Sequence, residues 1–170
     1  MTAFDGQIEA LTASRDRRNF GCGEPALDDY LRRFARQHAA SNLGRTYVAA
    51  AGGRIAGYYS LAMSAIRKEH LPQVHHKRFP NFPVPVARLA RLAVDQSQQG
   101  KGIGQLLLMD ALHRCHHLAE EIGCAGVVVD AKHAAAQRFY QKFNFESFPE
   151  TPLTLWLPAG ALSRYFGGLP

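Results

Sequence analysis

The residues best suited to chemistry in this chain form one short run: Gln99, Gly100, Lys101, Gly102, Ile103 and Gly104. The run lies between a strand-like segment, residues 86–94, and a long amphipathic segment that begins at Ile103. Glycines let several backbone N–H groups point at one anion, and a helix start adds the positive end of its dipole. The spacing matches neither G-x-x-x-x-G-K-[ST] nor G-x-G-x-x-G, which excludes two common nucleotide-binding motifs. The sequence therefore predicts a phosphate site of the form Gln-x-x-Gly-x-Gly, with a plain strand–helix turn as the alternative.

A second group of residues could bind a metal ion: His113, Cys115, His116 and His117. His113 and His117 share a helical face because they are four residues apart. Cys115, however, belongs to the apolar stripe of the same helix, and no carboxylate or further histidine completes the ligand set at a sensible spacing. The pattern indicates a solvated helix face, and we expect no metal.

The whole chain carries a net charge of +6, and the excess of positive charge lies in its first part. Residues 1–91 contain 14 Lys and Arg against 7 Asp and Glu, whereas residues 92–170 contain 6 against 7. This asymmetry favours a polyanionic partner, above all a nucleic acid, over a basic surface that serves solubility. Tyr58, Tyr59 and Phe82 are candidates for stacking on bases, with core packing favoured for at least one of the two tyrosines. The basic residues expected to contact RNA phosphates are Arg33, Arg36, Lys77, Arg78, Arg88 and Arg91.

The elements that must position these residues follow from periodicity and turn signals. A helix begins near Pro25 and carries an apolar stripe of Leu27, Tyr30, Leu31, Phe34 and His38. Gly52 and Gly53 predict a two-residue hairpin turn. Arg88 and Arg91 interrupt an apolar strand, where unpaired burial is costly, so we place them at a cleft or an edge. The other predicted elements are strands over 46–51, 55–65, 86–94, 125–131 and 153–157, a long loop over 67–85, and helices over 103–122 and 134–143.

This order of elements indicates a mixed α/β protein with one central sheet. The length of 170 residues predicts a single domain over residues 1–170. Apolar runs are short and the N-terminus lacks a signal pattern, so we expect no membrane association and no secretion. Cys22, Cys115 and Cys124 are an odd number without paired spacing, which suits a reducing cytosol. We therefore expect a cytoplasmic protein.

The element order and the Gln99-x-x-Gly102-x-Gly104 loop together resemble the GNAT acetyltransferases over nearly the whole chain. Residues 88–95, Arg-Leu-Ala-Arg-Leu-Ala-Val-Asp, resemble the strand that leads into the coenzyme loop of that family. Residues 138–145 resemble its late helical segment, with Asn144 where glycine is usual. Asn tolerates positive φ better than most residues, so the helix end survives the change. The resemblance implies a GNAT fold, acetyl-coenzyme A (acetyl-CoA) as acetyl donor, and no metal.

The resemblance also assigns the coenzyme contacts. Backbone N–H groups of residues 99–104 would hold the pyrophosphate, with a cation added by Lys101, while the Gln99 side chain would brace the loop. The backbone of Leu92, Ala93 and Val94 would receive the pantetheine arm, and their side chains would belong to the core.

Tyr140 occupies the position of the family tyrosine that protonates the departing thiolate, and Phe139 beside it is assigned to the coenzyme site. A thiolate with a pKa of roughly 8.5 takes a proton from a phenol of about 10 with modest driving force, so placement must lower the barrier. The alternative is that Tyr140 is a core aromatic beside Phe139 and Phe143. Asp95 and Asp130 lie at strand ends and are weak candidates for a base acting through water.

Within the family, the chain resembles the acetyltransferase toxins of bacterial toxin–antitoxin modules. The segments that carry this resemblance are residues 20–27, 29–31, 57–61, 83–86 and 152–155. The resemblance implies a toxin that acetylates the α-amine of an aminoacyl-tRNA and so blocks translation. It also implies neutralisation by a cognate antitoxin with a ribbon-helix-helix DNA-binding part, and it is compatible with a homodimer.

The missing general base agrees with an aminoacyl substrate. An α-amine titrates at roughly 7.7–8.0, and the ester of an aminoacyl group lowers that value, whereas a lysine titrates at about 10.4. Two alternatives stay open: an acetyltransferase for a small amine or a protein N-terminus, and a non-catalytic nucleic-acid-binding regulatory module with the same fold. An acidic substrate pocket would favour the first, and a dispensable Tyr140 the second.

Overall fold

The computed structural model describes residues 6–167, which form seven strands and five α-helices. The strands are β1 Ile8–Ala10, β2 Arg45–Ala51, β3 Arg54–Ile66, β4 Val84–Val94, β5 Gly126–Asp130, β6 Glu146–Ser147 and β7 Thr154–Pro158. The α-helices are α1 Pro25–Asp29, α2 Ala35–Ala40, α3 Ile103–Glu121, α4 Ala134–Gln141 and α5 Ala159–Phe166. A π-helical segment, Tyr30–Phe34, joins α1 to α2, and the 3₁₀ segments are Lys68–His70, Gln73–Arg78 and Gln96–Gln98.

The strands form one mixed sheet in the order β1-β2-β3-β4-β5-β7-β6. β4 pairs with β5 in parallel, whereas β2 with β3 and β5 with β7 are antiparallel pairs. Gly52 and Gly53 turn between β2 and β3 with φ of +57° and +84°, as a primed hairpin turn requires. The predicted mixed α/β class with one central sheet and the hairpin are confirmed.

Within the described residues the chain divides into two compact units. Unit 1 comprises residues 6–62 and Ala90–Ala111, and unit 2 comprises Met63–Leu89 and residues 112–167. β3, β4 and α3 each contribute residues to both units. A single domain over 1–170 stays a prediction.

Each unit has a hydrophobic core of its own. The core of unit 1 joins α1 and the π-helical segment to the sheet through Leu31, Val48 and Tyr58, each fully buried. The core of unit 2 surrounds Trp156 and Val128. Cys115 and Cys124 are also buried.

The π-helical segment corrects the predicted apolar stripe of the first helix. The backbone N–H of Ala35 donates to the carbonyl of Tyr30, five residues back, so one turn contains an extra residue. Burial therefore passes from Leu31 to Ala35, and Phe34 is 41% exposed instead of lying in the stripe.

The sequence pattern places Ile122 in the buried stripe of α3 and His116 on its solvated face, and both placements are wrong. Ile122 lies beyond the last helical residue and is 78% exposed. His116 is buried, and its Nε2 atom lies 2.9 Å from Glu120 Oε1, so it is not part of a solvated face. His113 and His117 are exposed as predicted.

Three elements lack a strong sequence signal. β1 and β6 have three and two residues, too few for a clear alternation of apolar and polar side chains. α5 follows Pro158 directly, so the proline that ends β7 also begins the helix. No helix among residues 6–167 is long and apolar enough to cross a bilayer.

Candidate active site

The glycine loop at the start of α3 lies in unit 1. Gly100 and Gly102 have φ of +79° and +82°, a region that other L-residues rarely adopt. A Cβ atom on either glycine would meet no atom within 4 Å, so backbone conformation and not space requires glycine here. The N–H of Leu106 donates to the carbonyl of Gly102 at 3.2 Å. The N–H groups of the first helical turn, which have no acceptors within the helix, therefore remain available to an anion.

Two side chains on the loop make hydrogen bonds within unit 1. Gln99 Nε2 donates to the carbonyls of Cys22 and Val94, each at 3.0 Å. Lys101 Nζ lies 3.4 Å from Gln98 Oε1. These bonds hold the entrance of the loop against the end of β4 and against the segment that precedes α1.

Asp95 connects the residues that precede the glycine loop to the segment that precedes α1. Its carboxylate accepts hydrogen bonds from the backbone N–H of Gly21 at 2.9 Å and from the N–H and hydroxyl of Ser97 at 3.0 and 2.5 Å. Burial by itself raises the pKa of this carboxyl, but the hydrogen bonds from Ser97 and Gly21 hold it below its usual value. With both oxygens occupied, Asp95 serves structure, and its weak candidacy as a base loses support.

The strand residues assigned to the pantetheine arm are at the end of β4. Ala93 is buried in the core of unit 1, and Leu92 and Val94 are half-buried. A Cβ on Gly57 of β3 would lie 2.9 Å from the Ala93 carbonyl oxygen, so β3 approaches this part of β4 closely.

Tyr140 lies on α4 in unit 2. The helix begins at the His133 cap, whose Nδ1 accepts from the N–H of Ala136 at 3.2 Å. Tyr140 is 8% exposed and packs against Phe139 and Phe145, with ring centroids 5.2 and 5.5 Å away. Burial raises the pKa of the phenol well above its ordinary value. The phenol therefore stays protonated at neutral pH, as a proton donor must.

Asn144 ends the segment that carries Tyr140, with φ of +71°. This is the left-handed conformation that the sequence predicts for it. Its Nδ2 donates to the Tyr165 hydroxyl at 2.9 Å, and that hydroxyl donates to the Phe143 carbonyl at 3.2 Å.

A cavity of about 570 Å³ opens in unit 2. Its polar wall contains Arg88 of β4 and Asp130 at the end of β5, which form an ion pair. Thr154 Oγ1 donates to Asp130 Oδ1 at 2.9 Å, and Arg88 Nε donates to Ser64 Oγ at 3.4 Å. The other lining residues are Ala65, Ile66, Arg67, His70, Pro83, Phe148, Thr151 and Thr154. Sequence reasoning placed Arg88 at a cleft but missed the cavity, because its walls come from segments far apart in the chain.

The basic residues assigned to RNA divide between the units. In unit 1, Arg33 is exposed on the π-helical segment and Arg36 on α2. The guanidinium carbon of Arg91 lies 3.5 Å from the centroid of the Tyr30 ring. In unit 2, Lys77 and Arg78 are exposed at the end of a 3₁₀ segment, and Arg88 lines the cavity.

Two of the three proposed stacking residues are wrong. Tyr58 and Tyr59 are fully buried, and their hydroxyls donate to the Leu27 carbonyl and to Asp110, so neither ring can meet a base. Phe82 is 67% exposed and stays a candidate. Among residues 6–167 no cluster of His, Cys, Asp and Glu side chains could hold a metal ion.

Comparison with known proteins relates this geometry to one family. The family model of the acetyltransferase (GNAT) domain matches residues 42–147. The chain is 42% identical over 147 residues to a tRNA-acetylating toxin of Mycobacterium tuberculosis, covering 86% of this chain and 88% of that protein. It is 28% identical over 171 residues to a probable toxin TacT of Sinorhizobium fredii, with 94% of each covered.

Solved structures of toxins have the same fold. A tyrosine-to-phenylalanine mutant of KacT superposes with a TM-score of 0.89 at 27% identity, covering 94% of this chain and 98% of that one. AtaT in complex with acetyl-methionyl-tRNA superposes with a TM-score of 0.87 at 29% identity, covering 94% of this chain and 98% of that one. A mutant of AtaT was solved with acetyl-CoA and the C-terminus of the antitoxin AtaR. It superposes with a TM-score of 0.81 at 27% identity, covering 95% of this chain and 98% of that one.

Proposed function

The chain belongs to the GNAT acetyltransferase family, and from that premise we propose that it is a toxin that acetylates the α-amino group of aminoacyl-tRNA. It is an acetyl-CoA-dependent N-acetyltransferase that acts as one domain over residues 1–170. The acetylated aminoacyl group can no longer act as a nucleophile in peptide-bond formation, so translation stops. The observation that carries the proposal is the glycine loop at the start of α3, with two positive φ angles and a first turn of N–H groups.

The coenzyme contacts rest on backbone groups. The N–H groups of residues 99–104 bind the pyrophosphate of acetyl-CoA, and Lys101 adds positive charge beside them. The backbone of Leu92, Ala93 and Val94 at the end of β4 pairs with the pantetheine arm, and Phe139 contacts the coenzyme. The bound coenzyme supplies an acetyl group activated as a thioester.

Tyr140 supplies the proton for the departing thiolate. The phenol carries its proton at neutral pH, and because burial raises its pKa, proton transfer to the thiolate depends on placement. The amine needs little help to lose its own proton, because an α-amine titrates at roughly 7.7–8.0 and an aminoacyl ester lower still. Transfer is direct: the neutral amine attacks the thioester carbon, the carbon–sulfur bond breaks and the sulfur takes the Tyr140 proton. The proton released from the nitrogen restores the phenol through solvent, so no covalent enzyme intermediate forms.

The acceptor end of the substrate enters the cavity of unit 2. Asp130, held in place by Arg88 and Thr154, puts a negative charge in the wall of this cavity that attracts an amine. Six basic side chains supply cations for the phosphates of the RNA: Arg33, Arg36, Lys77, Arg78, Arg88 and Arg91.

The partners follow from the relatives. AtaT binds acetyl-methionyl-tRNA in one structure and the C-terminus of its antitoxin in another. We extend both to this chain: aminoacyl-tRNA is its substrate, and an antitoxin of the ribbon-helix-helix type neutralises it. A cytoplasmic location and a homodimer complete the proposal.

The test uses the purified chain, labelled acetyl-CoA, and charged or uncharged tRNA. We expect label on charged tRNA, in a form released with the amino acid on mild alkaline hydrolysis, and none on uncharged tRNA. Tyr140→Phe is expected to lower kcat by at least about 100-fold, the usual scale of general acid catalysis. Its affinity for acetyl-CoA should change little.

The matched control is Tyr165→Phe, which removes an exposed phenol of the same unit that the mechanism does not use. This variant should keep near wild-type kcat. Faster acetylation of a small amine or a protein N-terminus than of charged tRNA would overturn the substrate assignment, and full activity of Tyr140→Phe would remove Tyr140 from the mechanism.

A further inference from the structure

A second basic site lies in unit 1, in a shallow open cleft of about 690 Å³ between the segment that follows β1 and the π-helical segment. The cleft is lined by Arg15, Arg17, Arg18 and Arg32, together with Ala13, Ser14, Asp16 and Asn19. Four arginines face a single carboxylate, so the lining is strongly cationic.

Two of these arginines are positioned by backbone carbonyls. Arg17 Nη1 donates to the carbonyl of Arg32 at 3.2 Å, and Arg32 Nη2 donates to the carbonyl of Phe20. At the edge, Arg54 Nη2 donates to the carbonyl of Asn19 at 3.4 Å. A carbonyl oxygen is a neutral acceptor, so it orients a guanidinium without neutralising its positive charge. The remaining N–H groups of such a guanidinium can still donate to an anion.

The carboxylates nearby compensate this charge in part. Asp16 Oδ1 accepts from the N–H of Arg18 at 3.0 Å, and its Oδ2 accepts from Asn19 Nδ2 at 2.8 Å, so Asp16 shapes the loop. Arg15 pairs with Glu9, and Arg32 lies 3.9 Å from Asp29. These exposed pairs leave Arg17 and Arg18 as the cations best placed for a ligand.

We propose that this cleft binds the phosphodiester backbone of the tRNA at a position separate from the aminoacyl end. The inference rests on the proposed function, since it names a second contact with the same substrate. All four cations are arginines, whose planar fork matches two phosphate oxygens, and Ser14 and Asn19 add donors and acceptors suited to a ribose hydroxyl. Carbonyl-anchored arginines in an open cleft fit a continuous polyanion.

The test is direct binding of uncharged tRNA to the full chain by fluorescence anisotropy over a salt series, which requires no acetyl transfer. The double variant Arg17→Gln/Arg18→Gln is expected to bind about tenfold more weakly near 100 mM salt and to lower the salt slope by about two, as loss of two phosphate contacts predicts. With charged tRNA the KM should rise by a similar factor.

Arg45→Gln is the matched control. Arg45 is an exposed arginine of unit 1 that donates to the Ala39 carbonyl at 3.1 Å and to Asn42 Oδ1 at 2.8 Å, outside the cleft. It should leave affinity and slope near the wild-type values. A folded double variant with wild-type affinity and slope would overturn the proposal.

Two further outcomes separate the proposals. Weaker binding of an acidic antitoxin by the double variant, with tRNA binding unchanged, would overturn the assignment and give the cleft to a protein partner. Wild-type chain that binds tRNA through the cleft but acetylates no charged tRNA would support the cleft and refute the proposed function.

Discussion

Gly100 and Gly102 have a conformational task, since each has a positive φ and open space where a side chain would be. An alanine there would have to adopt a strained backbone or turn its peptide, and turning the peptide would move the N–H groups that we propose to bind the pyrophosphate. The cost should therefore appear in coenzyme binding as well as in stability.

We predict that Gly102→Ala raises the Kd for acetyl-CoA about tenfold or more and lowers the free energy of unfolding by about 1 kcal/mol. Gly123→Ala is the control, because Gly123 also has a positive φ, +101°, and open space but lies in unit 2, beyond the end of α3. It should lose similar stability and keep its Kd. Calorimetric titration and urea unfolding measure the two quantities, and equal Kd values would refute the role of the loop amides.

At the scale of elements, the loop depends on Asp95, which joins the start of a 3₁₀ segment to a chain segment 74 residues earlier. The carbonyl of Gly21 also accepts from the N–H of Gln96 at 2.8 Å, so the connection is reciprocal. A buried carboxylate with three donors contributes to stability as long as it is ionised.

We predict that Asp95→Asn lowers the free energy of unfolding at pH 7 by about 2 kcal/mol, the usual cost of losing hydrogen bonds to a charged group. The folded pKa of Asp95 lies below the usual 3.8, so its contribution is complete above that value and declines as pH falls through the folded pKa. The difference between wild type and variant in urea unfolding should therefore shrink at pH 3.

Asp29→Asn is the control for this prediction. Asp29 is exposed, and its ion pair with Arg32 is 3.9 Å long, so the change should stay within about 0.5 kcal/mol. If the difference in the free energy of unfolding between wild type and Asp95→Asn were the same at pH 3 and pH 7, the charge of Asp95 would not be what stabilises the loop.

At the scale of the whole molecule, the two compact units share three elements, because β3, β4 and α3 contribute to both. The glycine loop lies in unit 1, whereas Trp156, the single tryptophan of the chain, is fully buried in the core of unit 2. Continuous strands and a continuous helix favour joint unfolding of the two units.

We predict that acetyl-CoA at 100 times its Kd raises the free energy of unfolding by about 2.7 kcal/mol when Trp156 fluorescence is followed, and by the same amount in far-UV circular dichroism. Gly102→Ala should show a smaller shift at the same ligand concentration. A ligand-dependent change in circular dichroism with an unshifted Trp156 transition would mean that the units unfold separately.

Local signals in the sequence were sufficient for the loop, the hairpin turn and the left-handed Asn144, because a φ preference belongs to one residue and its neighbours. Periodicity located the long elements, since burial of one face repeats within a few residues. The extra residue of the π-helical turn escaped this reasoning and moved burial from Phe34 to Ala35.

Only the tertiary structure decided which distant residues meet. It paired Arg88 with Asp130, tied Gly21 to Asp95, buried Tyr58 and Tyr59, and brought residues 15–18 and Arg32 to one cleft. A short segment encodes its own dihedral angles and amphipathic face, but strand order and loop packing determine what that face contacts. The sequence alone thus determined the long elements and the glycine loop, whereas the cavity of unit 2 and the arginine cleft exist through chain packing.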